Sequence, residues 1–281
     1  MEEYLTCLII ALVGIGAGTY GVLVGAGGGF ILSPVLLLMA VSDPKDVPGT
    51  VLAAIAINAA FVAWTYRKVG IVDYRSGLLF AAAALPGVVI GALGVKFVSS
   101  DMLRMAFGIL LVLLAIQLAF RPWILRLFQS AFRSGEPRRR FTTTVRGRHI
   151  QTSDGQEYRY EFNEALATSF NVVLGFISSF FRIGGGFLRT PVLVLAFSFP
   201  VRVAAASSVF ALAIYGTVGA ITHASLGHID LQMLLLSGAG LVLGGQIGAR
   251  ISGRVRGVWV LGMLILVVLV LGVWLIWEGL A

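Results

Sequence analysis

A chain of 281 residues that is 58% hydrophobic, only 12% charged and carries a formal charge of +8 is not a soluble domain, where about a quarter of residues are charged. Apolar runs such as 105–120 and 258–277 match the roughly 20 residues that cross a bilayer as helix, so the class expected is an all-α polytopic membrane protein. One cysteine, Cys7, and three histidines leave no disulfide, zinc cluster or nucleophile–base set; no catalytic residue, metal or cofactor is expected.

The acidic start, MEEYLTCLIIALVG, runs straight into further apolar sequence and is not read as a cleaved signal peptide. Five apolar segments follow, at about 4–24, 30–41, 49–66, 76–98 and 102–120. The second is short: a dozen residues of helix span about 18 Å, against a hydrocarbon core of about 30 Å. It opens with GGGFILSPVLLL, where Gly27, Gly28 and Gly29 disfavour continuous helix and Pro34 sets a bend. The first two segments therefore read as a broken helical pair with the glycines at the corner. Bare backbone at membrane depth is tolerated only where protein surrounds it or a cavity is lined.

Residues 121–160 hold nine arginines against Glu136, Asp154 and Glu157. Such a loop belongs in the cytoplasm, and its arginines suit anionic lipid; a nucleic acid is not an expected partner. A solvated basic loop is one form for it. A small β-hairpin is the other, because alternating and β-branched residues flank the turn signature Ser153-Asp154-Gly155.

Beyond the linker the apolar segments fall at about 164–181, 187–199, 203–222, 232–249 and 257–277. GGGFLRTPVLVL at 184–195 repeats residues 27–38 at eight of twelve positions, 157 residues later. The same offset pairs Gly70 with Gly227, Asp73 with Asp230, and Gly91-Ala92 with Gly248-Ala249. The domains expected are 1–121 and 162–281, each a repeat of about five helical segments, joined by 122–161. Loops at equivalent positions carry opposite bias. Arg67, Lys68 and Arg75 follow the third segment of the first half, whereas the matching 222–232 has no Lys or Arg; 99–101 likewise has none, whereas Arg250, Arg254 and Arg256 follow the matching segment. The halves are therefore expected to insert with inverted topology, both termini outside.

In that arrangement the two glycine corners meet near the midplane. Helix N-termini carry free amides and about half a positive charge, so Gly27–Gly29 and Gly184–Gly186 form a candidate anion site. Arg182 and Arg189 strengthen it. An arginine at membrane depth costs at least about 2.5–3.5 kcal/mol and marks a ligand or a pathway, and no acidic residue lies closer than 18 positions to either. Forked guanidinium donors suit oxyanions. Ser178, Ser179, Thr190, Ser207, Ser208 and Tyr215, with Ser33, Thr50 and Asn58 from the first half, are candidates to complete the shell. Alternatives remain at each: glycines also permit close helix packing, Arg189 is also placed to reach an interface, and hydroxyls also pack helices. His223 and His228 fall in an outer loop, where exposure is expected.

The doubled GGGFxxxPxL pattern, Gly27–Leu36 and Gly184–Leu193, resembles the sulfite exporter TauE/SafE (TSUP) family of bacterial and plant membrane proteins. The resemblance implies a transporter in a bacterial plasma (inner) membrane that moves sulfite, sulfoacetate or another organosulfonate, generally outward. Arg182, where the first half has Gly25, departs from repeat symmetry and puts most of the fixed charge in one half. The spans hold almost no carboxylates, so export driven by the membrane potential is the expected energetics, at about 2.3 kcal/mol per charge per 100 mV. The alternatives are an accessory protein for assembly of a respiratory complex, or an importer or channel for another small oxyanion.

Overall fold

The computed structural model describes residues 2–39, 47–94, 97–120, 144–153, 155–181, 186–252 and 257–280. The first half supplies α1 (Glu2–Val24), α2 (Gly29–Leu38), α3 (Val47–Val69), α4 (Tyr74–Gly94) and α5 (Ser100–Ala119). Strands β1 (Val145–Gln151) and β2 (Glu157–Asn163) precede the second half, which supplies α6 (Glu164–Phe180), α7 (Gly186–Ala196), α8 (Val201–Ser225), α9 (Leu231–Ile251) and α10 (Gly257–Leu280). Among the described residues five helices are long and apolar enough to span a bilayer: Thr6–Val24, Gly49–Val69, Tyr74–Gly94, Val201–Ser225 and Leu231–Ile251. The protein is an all-α polytopic membrane protein with one β-hairpin. Helices α2 and α7 each begin at the last glycine of a triplet and hold 10 and 11 residues, about 15–17 Å.

Packing between the halves is reciprocal. Helix α1 lies along α9 and α4 along α6; α3 touches α9 and α4 touches α8; α3 pairs with α8 and α5 with α10. At the 157-residue offset α1, α3, α4 and α5 correspond to α6, α8, α9 and α10, so exchanging the halves returns the same set of contacts. Small residues allow the two long crossings. A Cβ on Gly244 or Gly248 would overlap the backbone of Ile15 or Thr19, and one on Gly87 or Gly91 would overlap that of Val172 or Phe176. Gly87/Gly244 and Gly91/Gly248 are repeat partners, and in lipid such close backbone approach is a main source of helix association.

Hydrogen bonds at the ends of α3 and α8 repeat the pattern. Ser207 Oγ accepts the Asp73 amide at 2.9 Å, and Thr50 Oγ1 accepts the Asp230 amide at 2.9 Å. Each aspartate caps the helix after it: Asp73 Oδ1 accepts from Ser76 N–H and Asp230 Oδ1 from Met233 N–H, both at 3.0 Å. The start of α3 thus meets the end of α8, and the start of α8 meets the end of α3, so the two helices run antiparallel. Thr50 and Val69 lie about 28 Å apart along α3, close to the thickness of a bilayer core.

The hairpin sits at the Val69–Asp73 end, packed there through part of β2 and exposed along much of its remainder. Ser153 donates its amide and its hydroxyl to the Val69 carbonyl at 2.9 and 3.2 Å. Tyr160 donates to Asp73 Oδ2 at 2.8 Å, with Arg148 Nε 3.4 Å from the same oxygen. Arg148 and Arg75 both pair with Glu164. On the second half, Arg202 bonds Gln156 at 3.1 Å, and Phe199 packs its ring 4.5 Å from Tyr160 and 4.6 Å from Phe162. Burial first, and then the Asp73 charge beside it, push the Tyr160 hydroxyl well above the usual phenol range. The solvated-loop alternative fails for 145–163 because Tyr160 and Phe162 bury their rings. Arg121, Arg126, Arg133 and Arg138–Arg140 lie outside the described residues.

His223 corrects a second expectation. It is fully buried in the last turn of α8, because the chain folds back so that the His228 amide donates to the His223 carbonyl at 3.0 Å and Gly49 closes over it.

Candidate functional site

The first corner is built by glycine conformation. Helix α1 closes with the Ala26 amide on the Gly21 carbonyl at 2.6 Å and the Gly25 amide on the Val22 carbonyl at 3.0 Å, a pairing that requires a left-handed residue at Gly25 (φ +80°). Gly27 and Gly28 follow at φ +72° and +96°, and the chain doubles back until Gly28 lies against Ala17 with no room for a side chain. The expectation of three free glycine amides is corrected at Gly27, whose N–H donates to the Gly21 carbonyl at 3.2 Å. Gly29 opens α2, where no carbonyl within the helix reaches its amide. Asn58, fully buried on α3, donates Nδ2 to the Gly27 carbonyl at 3.0 Å, and among the described residues its Oδ1 has no partner.

Arg182, Gly184 and Gly185 of the second corner lie outside the described residues. Gly186, the last of that triplet, lies against the first corner: a Cβ there would overlap the Gly25 carbonyl. Thr190 donates its hydroxyl to the same carbonyl at 3.4 Å. Gly186 and Thr190 are thus in contact with the first corner.

Arg189 lies three residues beyond Gly186 and has no exposed surface; it does not reach an interface. Its Nε donates to Asn171 Oδ1 at 2.5 Å. Its Cζ sits 4.7 Å from the centroid of the Tyr215 ring, itself fully buried, an arrangement that stabilises a desolvated cation. Among the described residues Nη1 and Nη2 have no hydrogen-bond partner, and no carboxylate pairs with this guanidinium. Buried polar groups nearly always find partners, and an orphan calls for an explanation. Two adjacent charged donors of this kind suit two oxygens of one anion.

The other candidates divide. Ser178 and Ser179 on α6 and Ser208 on α8 are fully buried, and their hydroxyls have no hydrogen-bond partner among the described residues. Ser207 is engaged by the Asp73 amide and Thr50 by that of Asp230, so their acceptor lone pairs serve the ends of the helices. Ser33 is buried on α2. Asn171 is the residue that sequence reasoning missed. A signal for it existed: at the 157-residue offset Asn171 faces Gly14 and Arg189 faces Leu32, so polar residues replace small or apolar ones twice in one half. A separate groove of about 420 Å³, lined by Ala53, Ala56, Ile57, Phe61 and Ile221 among others, holds no charged group.

The family profile described as "Sulfite exporter TauE/SafE" matches residues 10–275. The chain is 29% identical to the "Probable membrane transporter protein YunE" of Bacillus subtilis (strain 168), covering 97% of this chain and 98% of that one. It is 26% identical to a "Probable membrane transporter protein" of Xylella fastidiosa (strain Temecula1), with 92% and 91% covered. It is 24% identical to a further probable membrane transporter protein from Methanocaldococcus jannaschii, with 90% and 89% covered. No solved structure matches the chain.

Proposed function

This chain belongs to the sulfite exporter TauE/SafE family and is a membrane transporter, and from that premise we propose that it carries sulfite or an organosulfonate such as sulfoacetate outward, by alternating access around Arg189 and the glycine corners. One observation carries the proposal: Arg189 is fully buried, pairs with no carboxylate among the described residues, and keeps both terminal nitrogens unpartnered. Removing an arginine from water is costly, and a bound oxyanion would offset that cost with two parallel charge-assisted hydrogen bonds. The unpartnered hydroxyls of Ser178, Ser179 and Ser208 are suited to the third oxygen of a sulfonate or sulfite. Arg182, Gly184 and Gly185, next to Gly186 in sequence and outside the described residues, are carried in this proposal as further candidate ligands.

The guanidinium has no exposed surface, so cargo reaches it only when one side opens. The antiparallel run of α3 and α8 and the reciprocal packing of the halves support an inverted-repeat mechanism in which one repeat rocks against the other. With the arginine-rich linker in the cytoplasm and the termini outside, a potential negative inside favours anion export by about 2.3 kcal/mol per charge per 100 mV.

The test is flux. Purified protein in liposomes should release labelled sulfite or sulfoacetate faster when the inside is made negative, and Arg189→Ala should abolish that release while remaining folded. Release that is equal in Arg189→Ala, or absent from folded wild-type protein, contradicts the proposal.

A further inference from the structure

The Asn171 amide has a single possible orientation. An arginine offers only donors, so the atom facing Arg189 Nε must be the amide oxygen. On the other side, Asn171 Nδ2 donates to the Ala167 carbonyl at 2.7 Å, one turn back on α6. A flipped amide would set donor against donor at Arg189 and acceptor against acceptor at Ala167. Both neighbours therefore hold the same orientation, and Asn171 is almost wholly buried between them.

That contact decides how Arg189 can be used. A guanidinium offers a side edge, Nε with one terminal nitrogen, and an end edge, Nη1 with Nη2. Asn171 occupies the side edge at Nε, and the Tyr215 ring covers one face. The end edge remains, with both nitrogens unpartnered among the described residues. Asn171 also does this without charge. An aspartate there would pair with the guanidinium and cancel the positive charge that a guest needs. The repeat partners of Asn171 and Arg189 are Gly14 and Leu32, so the device exists in the second half alone.

We propose that Asn171 is a positioning residue that turns Arg189 end-on to the cargo, so that the site prefers a head group with two or more oxygens over a monatomic anion; this rests on Arg189 being the anion's ligand. Two oxygens of one head meet Nη1 and Nη2 in parallel. A halide presents one centre and gains little from the fork. Loss of Asn171 frees the guanidinium to rotate, which weakens the two-point contact and leaves the one-point contact almost unchanged.

The experiment measures half-saturation for methanesulfonate and for bromide in proteoliposomes holding wild type, Asn171→Leu or Asn171→Asp, with the anion-free melting temperature as the control for folding. Wild type should favour methanesulfonate. Asn171→Leu should raise its half-saturation about tenfold, the scale of one hydrogen bond to a charged group, with bromide changing less than about threefold, so the preference collapses. Asn171→Asp, which keeps size and an acceptor oxygen, should weaken both anions about tenfold or more at neutral pH. A folded Asn171→Leu with the wild-type preference overturns the positioning role and leaves the Arg189 assignment intact. If Asn171→Leu does not fold, Asn171→Asp decides, and unchanged half-saturation there overturns the proposal. Wild-type protein carrying neither anion overturns the Arg189 assignment first, and this proposal with it.

Discussion

Tyr215 faces the guanidinium of Arg189, ring centroid to Cζ 4.7 Å, with both side chains fully buried. The two residues come from different helices, α8 and α7, so the contact ties the short broken helix to a full-length one. A cation over an aromatic face gains about 2 kcal/mol when desolvated. Tyr215→Phe keeps that face and should hold anion affinity within about threefold, whereas Tyr215→Leu should weaken it about tenfold or more. Titration of sulfite against the purified variants, read by thermal shift, separates the two. Equal affinity in Phe and Leu would remove the ring from the site.

Reciprocal crossings predict reciprocal damage. Gly87 and Gly244 face backbone with no space for a Cβ. Gly87→Val and Gly244→Val should each cost more than about 3 kcal/mol, since backbone cannot yield as a side-chain tip does. Gly16 has open space around it, and Gly16→Ala should change stability by no more than about 1 kcal/mol, in the favourable direction. Thermal midpoints in detergent check all three. A tolerated valine at either crossing would mean that the helices do not approach as described.

The hairpin makes a pH prediction. The Tyr160 phenol is raised in the fold, so its neutral form is the one that fits beside Asp73. Its contribution is present in full below the unfolded value of about 10 and is lost as pH rises above it. Melting temperature should therefore fall more steeply above about pH 10 in wild type than in Tyr160→Phe. At pH 7 the variant should be less stable by about 1.5–3 kcal/mol, the scale of a hydrogen bond to a charged group. Parallel alkaline profiles would place Tyr160 away from Asp73.

Orientation is open to labelling. In a Cys7→Ser background, Gln151→Cys on β1 and Ser225→Cys at the end of α8, both at exposed positions, should react with an impermeant maleimide from opposite sides. Gln151→Cys should react only from the cytoplasm. Reaction of both from one side would contradict the antiparallel run of α3 and α8 across the bilayer.

Much of this architecture was legible in the residues. Membrane class follows from apolar runs, and the short helices follow from Gly27–Gly29 and Gly184–Gly186. Repeat-paired Asp73 and Asp230 proved to be the two caps that bond to the opposite half. What escaped the sequence is what depends on contact between distant segments. Asn171 in a helix reads as ordinary packing until α7 brings Arg189 to it 18 positions later. His223 reads as a loop residue until the chain returns over it. Tyr160 and Phe162 read as alternating strand residues, and nothing local announces that Phe199 and Asp73 will receive them. Gly27 reads as a free amide, but the doubling-back of the corner spends that amide on Gly21.

Selenite, the heavier analogue of sulfite, reports cargo position without any assumption about transport. Crystals of wild-type protein grown with selenite should give an anomalous selenium peak on the Nη1/Nη2 edge of Arg189, and crystals of Arg189→Ala should lack it. A peak that persists in Arg189→Ala, or one found only at the hairpin, would contradict an anion site at Arg189.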